Sequence, residues 1–292
     1  MKSSQKGNRR SFLVWGQYLV FRAAVLAVRL LPTSWARGLG RLLVGRLGYH
    51  VLSRARRRGM QNLMERLGST QDEAERTMRA VFFHLGELCV EFLLMPRFVK
   101  KDLERLIRFE DPQVLEELEQ RRTGAVFVTG HLGNWELLGA TTALYGLPLH
   151  SIARVLDNPL VGDFVIRERE QFGQKIIDKR NSWSTLSGFL GEGKYLGYLV
   201  DQDARRRGAF VEFFGILAST TRAPALLAVQ HGAPIVCGCA VREDGCFRIR
   251  LAEPIWPNRA AKDRQAEVRR LTQAYTKVLE GWVREFPEQW MW

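Results

Sequence analysis

The sequence predicts an α/β fold, a largely parallel central sheet flanked by helices, preceded by an N-terminal helical membrane-associating region. Three observations lead there. From about residue 124, short apolar runs alternate with segments of helical period, the order expected when strands lie parallel and helices make the crossovers. Up to Pro96 the chain reads as helical. The third observation is residues 12–31, apolar but for Gly16, Gln17, Arg22 and Arg29, a stretch long enough to reach across a bilayer. With 292 residues, 46% of them hydrophobic, the chain has material for a large core. It divides into a membrane-associating part, residues 1–52, and an α/β domain over 53–292.

Taken in order, the N-terminus opens on the basic "MKSSQKGNRR" and runs into the apolar stretch. No small-residue cleavage site follows, so the segment is expected to be retained. Arg22 falls near its midpoint, where a cation costs roughly 2.5 to 3.5 kcal/mol on insertion scales. Arg22 and Arg29 share a helical face with Tyr18, so a helix lying in the membrane surface competes with one that crosses. The next segment, "SWARGLGRLLVGRLGYHVLSRARRRG", interleaves leucines and arginines as surface-seeking helices do. Trp15, Arg22, Arg29 and Trp35 are the residues expected at the membrane, with Arg54, Arg56, Arg57 and Arg58 facing anionic headgroups. Residues 71–95 keep a helical period up to Pro96. Beyond them the pattern predicts strand 124–129, helix 134–145, strand 147–153, helix 158–172 and strand 195–200. Helix 222–231, strands 234–241 and 247–251, and a long helix 262–285 complete the chain.

Charge narrows the partners. Lys and Arg number 44 against 31 Asp and Glu, a formal charge of +13, which favours anionic surfaces, phosphorylated lipids or acidic carrier proteins. Nucleic acid fits the charge but not the aromatics, which sit inside apolar periods rather than as stacking platforms among basic residues. The four cysteines, at 89, 237, 239 and 246, have neither disulfide-framework nor metal spacing, and a reducing setting is expected.

The stretch "AVFVTGHLGNWELLGA" carries the chemistry. Residues five apart on one helix are separated by roughly 140°, so His131 and Glu136 do not share a regular helix. A strand ending near Gly130, a turn through Leu132 and Gly133, and a helix capped by Asn134 put His131 in a loop and Glu136 in the first helical turn. That loop lies at the carboxyl end of a strand, where open α/β sheets bind ligands. A carboxylate there can accept the imidazole Nδ1 hydrogen and leave Nε2 to take a proton from an incoming hydroxyl. The competing account has His131 capping a helix and Glu136 complementing its dipole. There is no G-x-S-x-G elbow, H-E-x-x-H pair or Walker loop, so a histidine base without a protein nucleophile suits direct attack by an acceptor hydroxyl.

"GHLGNWELLGA", "ARVLDNP", "VDQDARRRGAFVEFFGILASTTRAPALLA", "GAPIV" and "PEQWMW", in that order over nearly the whole chain, resemble the bacterial lipid A biosynthesis (late) acyltransferases, within the glycerolipid acyltransferase superfamily. The resemblance implies an inner-membrane enzyme facing the cytoplasm that moves a fatty acyl chain from acyl carrier protein to a hydroxyl of a lipid A precursor or related glycolipid. It implies no metal and no cofactor. By its H-x-x-x-x-D/E pattern His131 is the general base and Glu136 its partner. Arg154 is expected at the thioester oxyanion or a phosphate, and Asp201 is expected to hold Arg154 or a basic neighbour. Asn134, Gln202, Asp203, Arg205, Arg206 and Arg207 are expected to bind substrate, the arginines through sugar phosphates or acidic carrier helices. Phe213 and Phe214 are expected along the acyl groove. Many relatives continue past "PEQW", and this chain stops at Trp292. Actinobacterial relatives acylate phosphatidylinositol mannosides from acyl-CoA, usually with aspartate as the fifth residue, so Glu136 points to the lipid A branch. The alternatives are such an acyl-CoA-dependent enzyme and a noncatalytic membrane scaffold.

Overall fold

The apolar runs beyond residue 124 become the inner strands of a seven-stranded sheet. The computed structural model describes residues 2–97, 105–121, 124–144, 146–147, 149–154, 156–178 and 183–292. In chain order the strands are β1 Ile107–Phe109, β2 Ala125–Thr129, β3 Leu149–Ala153, β4 Lys175–Asp178, β5 Tyr195–Leu199, β6 Ala209–Phe213, β7 Ile216–Thr220, β8 Ile235–Glu243 and β9 Cys246–Leu251. The sheet order is β1-β9-β8-β2-β5-β3-β4, and β6 with β7 forms a separate hairpin. Strands β8, β2, β5, β3 and β4 run parallel. Strand β9 turns back antiparallel to β8 and carries β1 beside it. The expected largely parallel sheet is present.

The helices are α1 Lys2–Leu30, α2 Thr33–Gly40, α3 Gly48–Val51, α4 Ser53–Leu67, α5 Gln71–Leu94, α6 Pro112–Arg121, α7 Trp135–Leu144, α8 Pro159–Glu170, α9 Trp183–Gly191, α10 Ala223–His231 and α11 Arg264–Glu285. A wider π-helical stretch, Arg41–Leu47, joins α2 to α3. Tyr145 and Pro148, inside the expected helix 134–145 and strand 147–153, lie outside the described residues.

Alternation along the central strands sorts the core into two layers. Val126 and Val128 face the layer of α9, α10 and α11, where Leu186, Leu227, Leu271 and Tyr275 are buried. Ala125 and Phe127 face α6 and α7, against Leu115, Leu118, Leu137 and Leu138. Each fully buried aliphatic such as Val126, Leu196 or Ile235 contributes about 1.5 to 3 kcal/mol.

Helix α5 starts at a capping box, Thr70 with Glu73, and gathers the N-terminal helices. Gly40 of α2 and Gly86 of α5 let the two backbones touch, since a Cβ on either would collide with the carbonyl of the other. Helix α1 packs on both α8 and α5 through a stripe at Val14, Tyr18, Phe21, Val25 and Val28, the last of these clustering with Ala36, Val90 and Leu94, while Phe12, Trp15, Leu19, Leu26 and Leu30 stay exposed.

The sequence pattern missed β1, β4, α6, α9 and the β6–β7 hairpin. The hairpin turns on Phe214 and Gly215, both at positive φ (51° and 75°). Asn-Gly or Asp-Gly is the usual signal for such a turn. Here burial of the Phe214 ring against Phe213, Trp290 and Trp292 offsets the left-handed backbone of a bulky residue.

Candidate functional site

Strand β2 ends at Thr129, and the chain turns through Gly130 to Asn134 before α7 begins. Asn134 caps that helix, its Oδ1 accepting from the Leu137 amide at 2.9 Å. His131 therefore stands at the carboxyl end of the sheet, as the pattern predicted.

Its carboxylate partner is Asp201, not Glu136. Asp201 follows β5, the neighbour of β2, and its Oδ1 lies 2.8 Å from His131 Nδ1. Its Oδ2 accepts from the His131 backbone amide at 2.6 Å and from Trp290 Nε1 at 2.9 Å. An ionised carboxylate only accepts, so Nδ1 carries the hydrogen and Nε2 is left as the basic nitrogen. The side chain of Asp201 is 3% exposed and that of His131 20%. Burial pushes the Asp201 carboxyl up, but His131, by side chain, charge and amide, together with Trp290, outweighs it and leaves the pKa below the ordinary value. Gly130 permits the approach, because a Cβ there would meet Asp201 Oδ2 at 2.9 Å.

Glu136 is committed elsewhere. Arg169 of α8 binds it through two nitrogens, at 2.8 and 2.6 Å. Of the two expectations for Asp201, it holds a basic neighbour, His131, and not Arg154, whose partner is the exposed Asp157 at 2.7 Å. The Glu136 correction has a plain cause: parallel-sheet topology brings together residues seventy positions apart, while the spacing rule compares only near neighbours.

The loop is held from two further sides. Leu132 bridges Trp290, the Gly133 amide donates to the Gln289 carbonyl at 2.9 Å, and the Met291 amide donates to the His131 carbonyl at 3.3 Å. From α5, His84 Nε2 lies 3.1 Å from the Gly133 carbonyl and donates to it. Burial depresses the His84 pKa to about 4, so it is neutral at pH 7. Glu91, also on α5, accepts from Asn134 Nδ2 at 3.0 Å and pairs with Arg242 and with Arg37 of α2. Asn134 is thus a buried brace rather than a group offered to substrate. Gly133 lies at φ 60°, and a Cβ there would collide with the Ala240 carbonyl.

His131 opens into a cavity of about 1660 Å³. Its lining includes the apolar residues Phe127, Leu138, Gly139, Leu149, Val165 and Ile166, together with Glu136 and Arg169. Gln202, Asp203, Arg154, Arg205, Arg206 and Arg207 also line it, so the expected basic cluster does share a cavity with the histidine. Arg205 sits at φ 52°, held by its amide to Asp203 Oδ1 at 2.7 Å and by its carbonyl to Ser219 Oγ at 2.5 Å. Phe213 and Phe214 are absent from that lining and pack against Trp290 instead. Phe213 lines a smaller cavity of about 290 Å³, together with Gln202 and Asp203. Trp290, Arg169, His84 and Glu91 were missed; the quoted "PEQW" was the one sequence signal for any of them.

Residues 4–292 match the family model described as bacterial lipid A biosynthesis acyltransferase. The lipid A biosynthesis acyltransferase of Haemophilus influenzae is 23% identical over 190 residues, 61% of this chain and 58% of that one. The phosphatidylinositol mannoside acyltransferases of Mycolicibacterium smegmatis and Mycobacterium tuberculosis are 26% and 27% identical, over 39% of this chain in each case and 40% and 37% of theirs. Each match therefore takes in less than two thirds of the relative's length. The family match runs through the N-terminal helices, the His131 loop and the closing tryptophans alike, and the chain belongs to the bacterial lipid A biosynthesis acyltransferases.

Proposed function

We propose that the protein is a membrane-associated O-acyltransferase that moves a fatty acyl chain from acyl carrier protein to a hydroxyl of a lipid A precursor, with His131 as general base. The observation that carries this reading is the His131–Asp201 contact at a cavity lined by both apolar side chains and arginines. In the proposed reaction Nε2 takes the proton from the acceptor hydroxyl, and its oxygen adds to the thioester carbonyl. The resulting imidazolium is stabilised by Asp201. Collapse of the tetrahedral intermediate breaks the carbon–sulfur bond, and the departing thiolate takes the proton from Nε2. The acyl chain lies against the apolar lining residues. Arg154 and Arg205 to Arg207 receive phosphate or acidic carrier groups. The membrane is the inner membrane, with the cavity on its cytoplasmic side.

A second reading is favoured by the two mycobacterial relatives, whose names specify phosphatidylinositol mannoside. One experiment separates the readings. Purified protein is given acyl carrier protein or CoA thioesters with either a diphosphorylated lipid A precursor or a phosphatidylinositol mannoside, and products are weighed by mass spectrometry. Acylated lipid A precursor formed from the carrier-protein donor, and lost in His131→Ala, is the expected result. Transfer to the mannoside alone from acyl-CoA would establish the second reading, and no transfer to either acceptor would reject both.

A further inference from the structure

The apolar stretch Phe12–Leu30 has the length and hydropathy to cross a membrane. Its surroundings do not fit a crossing. The contact stripe Val14, Tyr18, Phe21, Val25, Val28 steps by four, three, four and three residues, so one face of α1 is laid against the body from end to end. Near its start, Asn158 at the head of α8 donates to the Val14 carbonyl at 3.0 Å and to Gln17 Oε1 at 3.2 Å. Near its end, Arg29 binds Glu168 at 2.6 Å and the Leu93 carbonyl at 2.9 Å. Between them Phe21 meets the Phe164 ring edge-on at 5.2 Å. From Val14 to Arg29 is about 22 Å of helix, most of a bilayer's hydrocarbon thickness. A crossing helix would have to take α8 with it. That helix carries Asp163, Arg167, Glu168, Arg169 and Glu170, and its other side lines the cavity through Val165, Ile166 and Arg169.

The two cations that a crossing helix would carry into hydrocarbon also have places on the body. Arg22 lies over the Phe164 ring at 5.4 Å, and Arg29 is paired as above. The opposite face is strongly apolar and open: Phe12, Leu19, Leu26 and Leu30 on α1, and then Trp35, Leu42, Leu43, Leu47, Val51 and Leu52 on the following turns. Exposed Arg46, Arg54, Arg57 and Arg58 accompany the second group. Apolar side chains interleaved with cations match the boundary between acyl chains and anionic headgroups.

We propose that α1 does not cross the bilayer but lies in its surface, docked on α8, and that with α2 and the turns to Leu52 it forms one face by which the enzyme sits on an anionic leaflet. The cavity then opens from a body held against that leaflet, with α8 as the wall shared by the membrane helix and the site. The inference rests on membrane association and not on the acyl-transfer reading, and its test reads sides of a membrane rather than turnover.

The full chain, with one epitope ahead of Met1 and a second inserted in the exposed loop 258–263, is expressed in a bacterial host, and protease is added to spheroplasts and to inverted inner-membrane vesicles. An in-plane helix leaves both epitopes on one side, so both survive in one preparation and both are cut in the other. Opposite responses of the two epitopes would overturn the proposal. A second measurement uses vesicles of phosphatidylethanolamine with phosphatidylglycerol and a Leu19→Ser, Leu26→Ser, Leu30→Ser variant. At least tenfold weaker vesicle binding with an unchanged melting temperature is expected. Unchanged binding, or a full-length chain that ignores vesicles and covers this face by self-association, would also overturn it.

Discussion

The His131 loop and the basic rim lie on the same cavity, yet they are built in opposite ways. Residues 130–134 are gripped by Asp201 after β5, by Gln289 to Met291 at the end of the chain, and by His84 and Glu91 from α5. Arg154 pairs three residues along, and the arginines at 205–207 are exposed on a short turn fixed mainly through its backbone. A group that must meet a proton within hydrogen-bond reach needs its position over-determined. Groups that receive a large anionic partner can keep their rotamer freedom and act over a longer range. In the proposed reaction this contrast fits chemistry at the loop and recruitment at the rim.

The sharpest way to break that comparison is to remove the braces one at a time. Asp201→Asn should lower kcat/KM by about 10² to 10⁴-fold, the range for general-base catalysis, with the fold retained by circular dichroism. Trp290→Phe keeps the ring among Phe213, Phe214 and Trp292 but removes the indole N–H from Asp201. A hydrogen bond to a charged group is worth about 1.5 to 3 kcal/mol, so a drop of roughly tenfold in kcat with little change in KM is expected. An unaltered kcat would mean that Trp290 only fills space.

His84 tests the brace through pH. Its folded pKa, about 4, lies below the ordinary 6.5, so the unfolded chain binds the proton first as pH falls. Its contribution is fully present above pH 6.5 and lost between there and about 4, a destabilisation on the order of 3 kcal/mol. Denaturant titrations of wild type and His84→Gln across that window should differ in slope with pH; parallel curves would remove His84 from the account. The smallest structural effect belongs to the rim. The triple Arg205→Gln, Arg206→Gln, Arg207→Gln variant should melt within about ±0.5 kcal/mol of wild type. It should nevertheless show a raised KM and a weaker salt dependence of activity, and unchanged values of both would reduce the cluster to a solvated charge run.

How much of this was legible depends on range. Strands with continuous apolar runs, such as 125–129 and 235–241, and helices with clear caps, such as 71–94, were readable because local chemistry decides them. Strand β4 has four residues, and the β6–β7 turn uses Phe214 where a small polar residue is usual, so neither gave a pattern. His131 and its loop were legible from Gly130 and from Asn134, a helix cap. Its partner was not. Glu136 lies five residues on and is a carboxylate, but Arg169 takes it; the expectation that Asp201 holds Arg154 or a basic neighbour does not single out His131, because nothing local says that β5 lies beside β2. The packing partners of Phe213 and Phe214 were not legible for the same reason, since they come from the last residues of the chain.

The central claim is that His131 and Asp201 work as one unit, while Glu136 supports the cavity wall through Arg169. A double-mutant cycle on kcat/KM tests it most directly, using His131→Ala, Asp201→Asn and Glu136→Gln singly and in pairs. Residues that act as a unit are strongly non-additive. The account predicts that Asp201→Asn costs almost nothing further once His131 is gone, while Glu136→Gln adds its own loss in either background and lowers the melting temperature by freeing Arg169. Strong non-additivity between His131 and Glu136, with Asp201 additive to both, would contradict it.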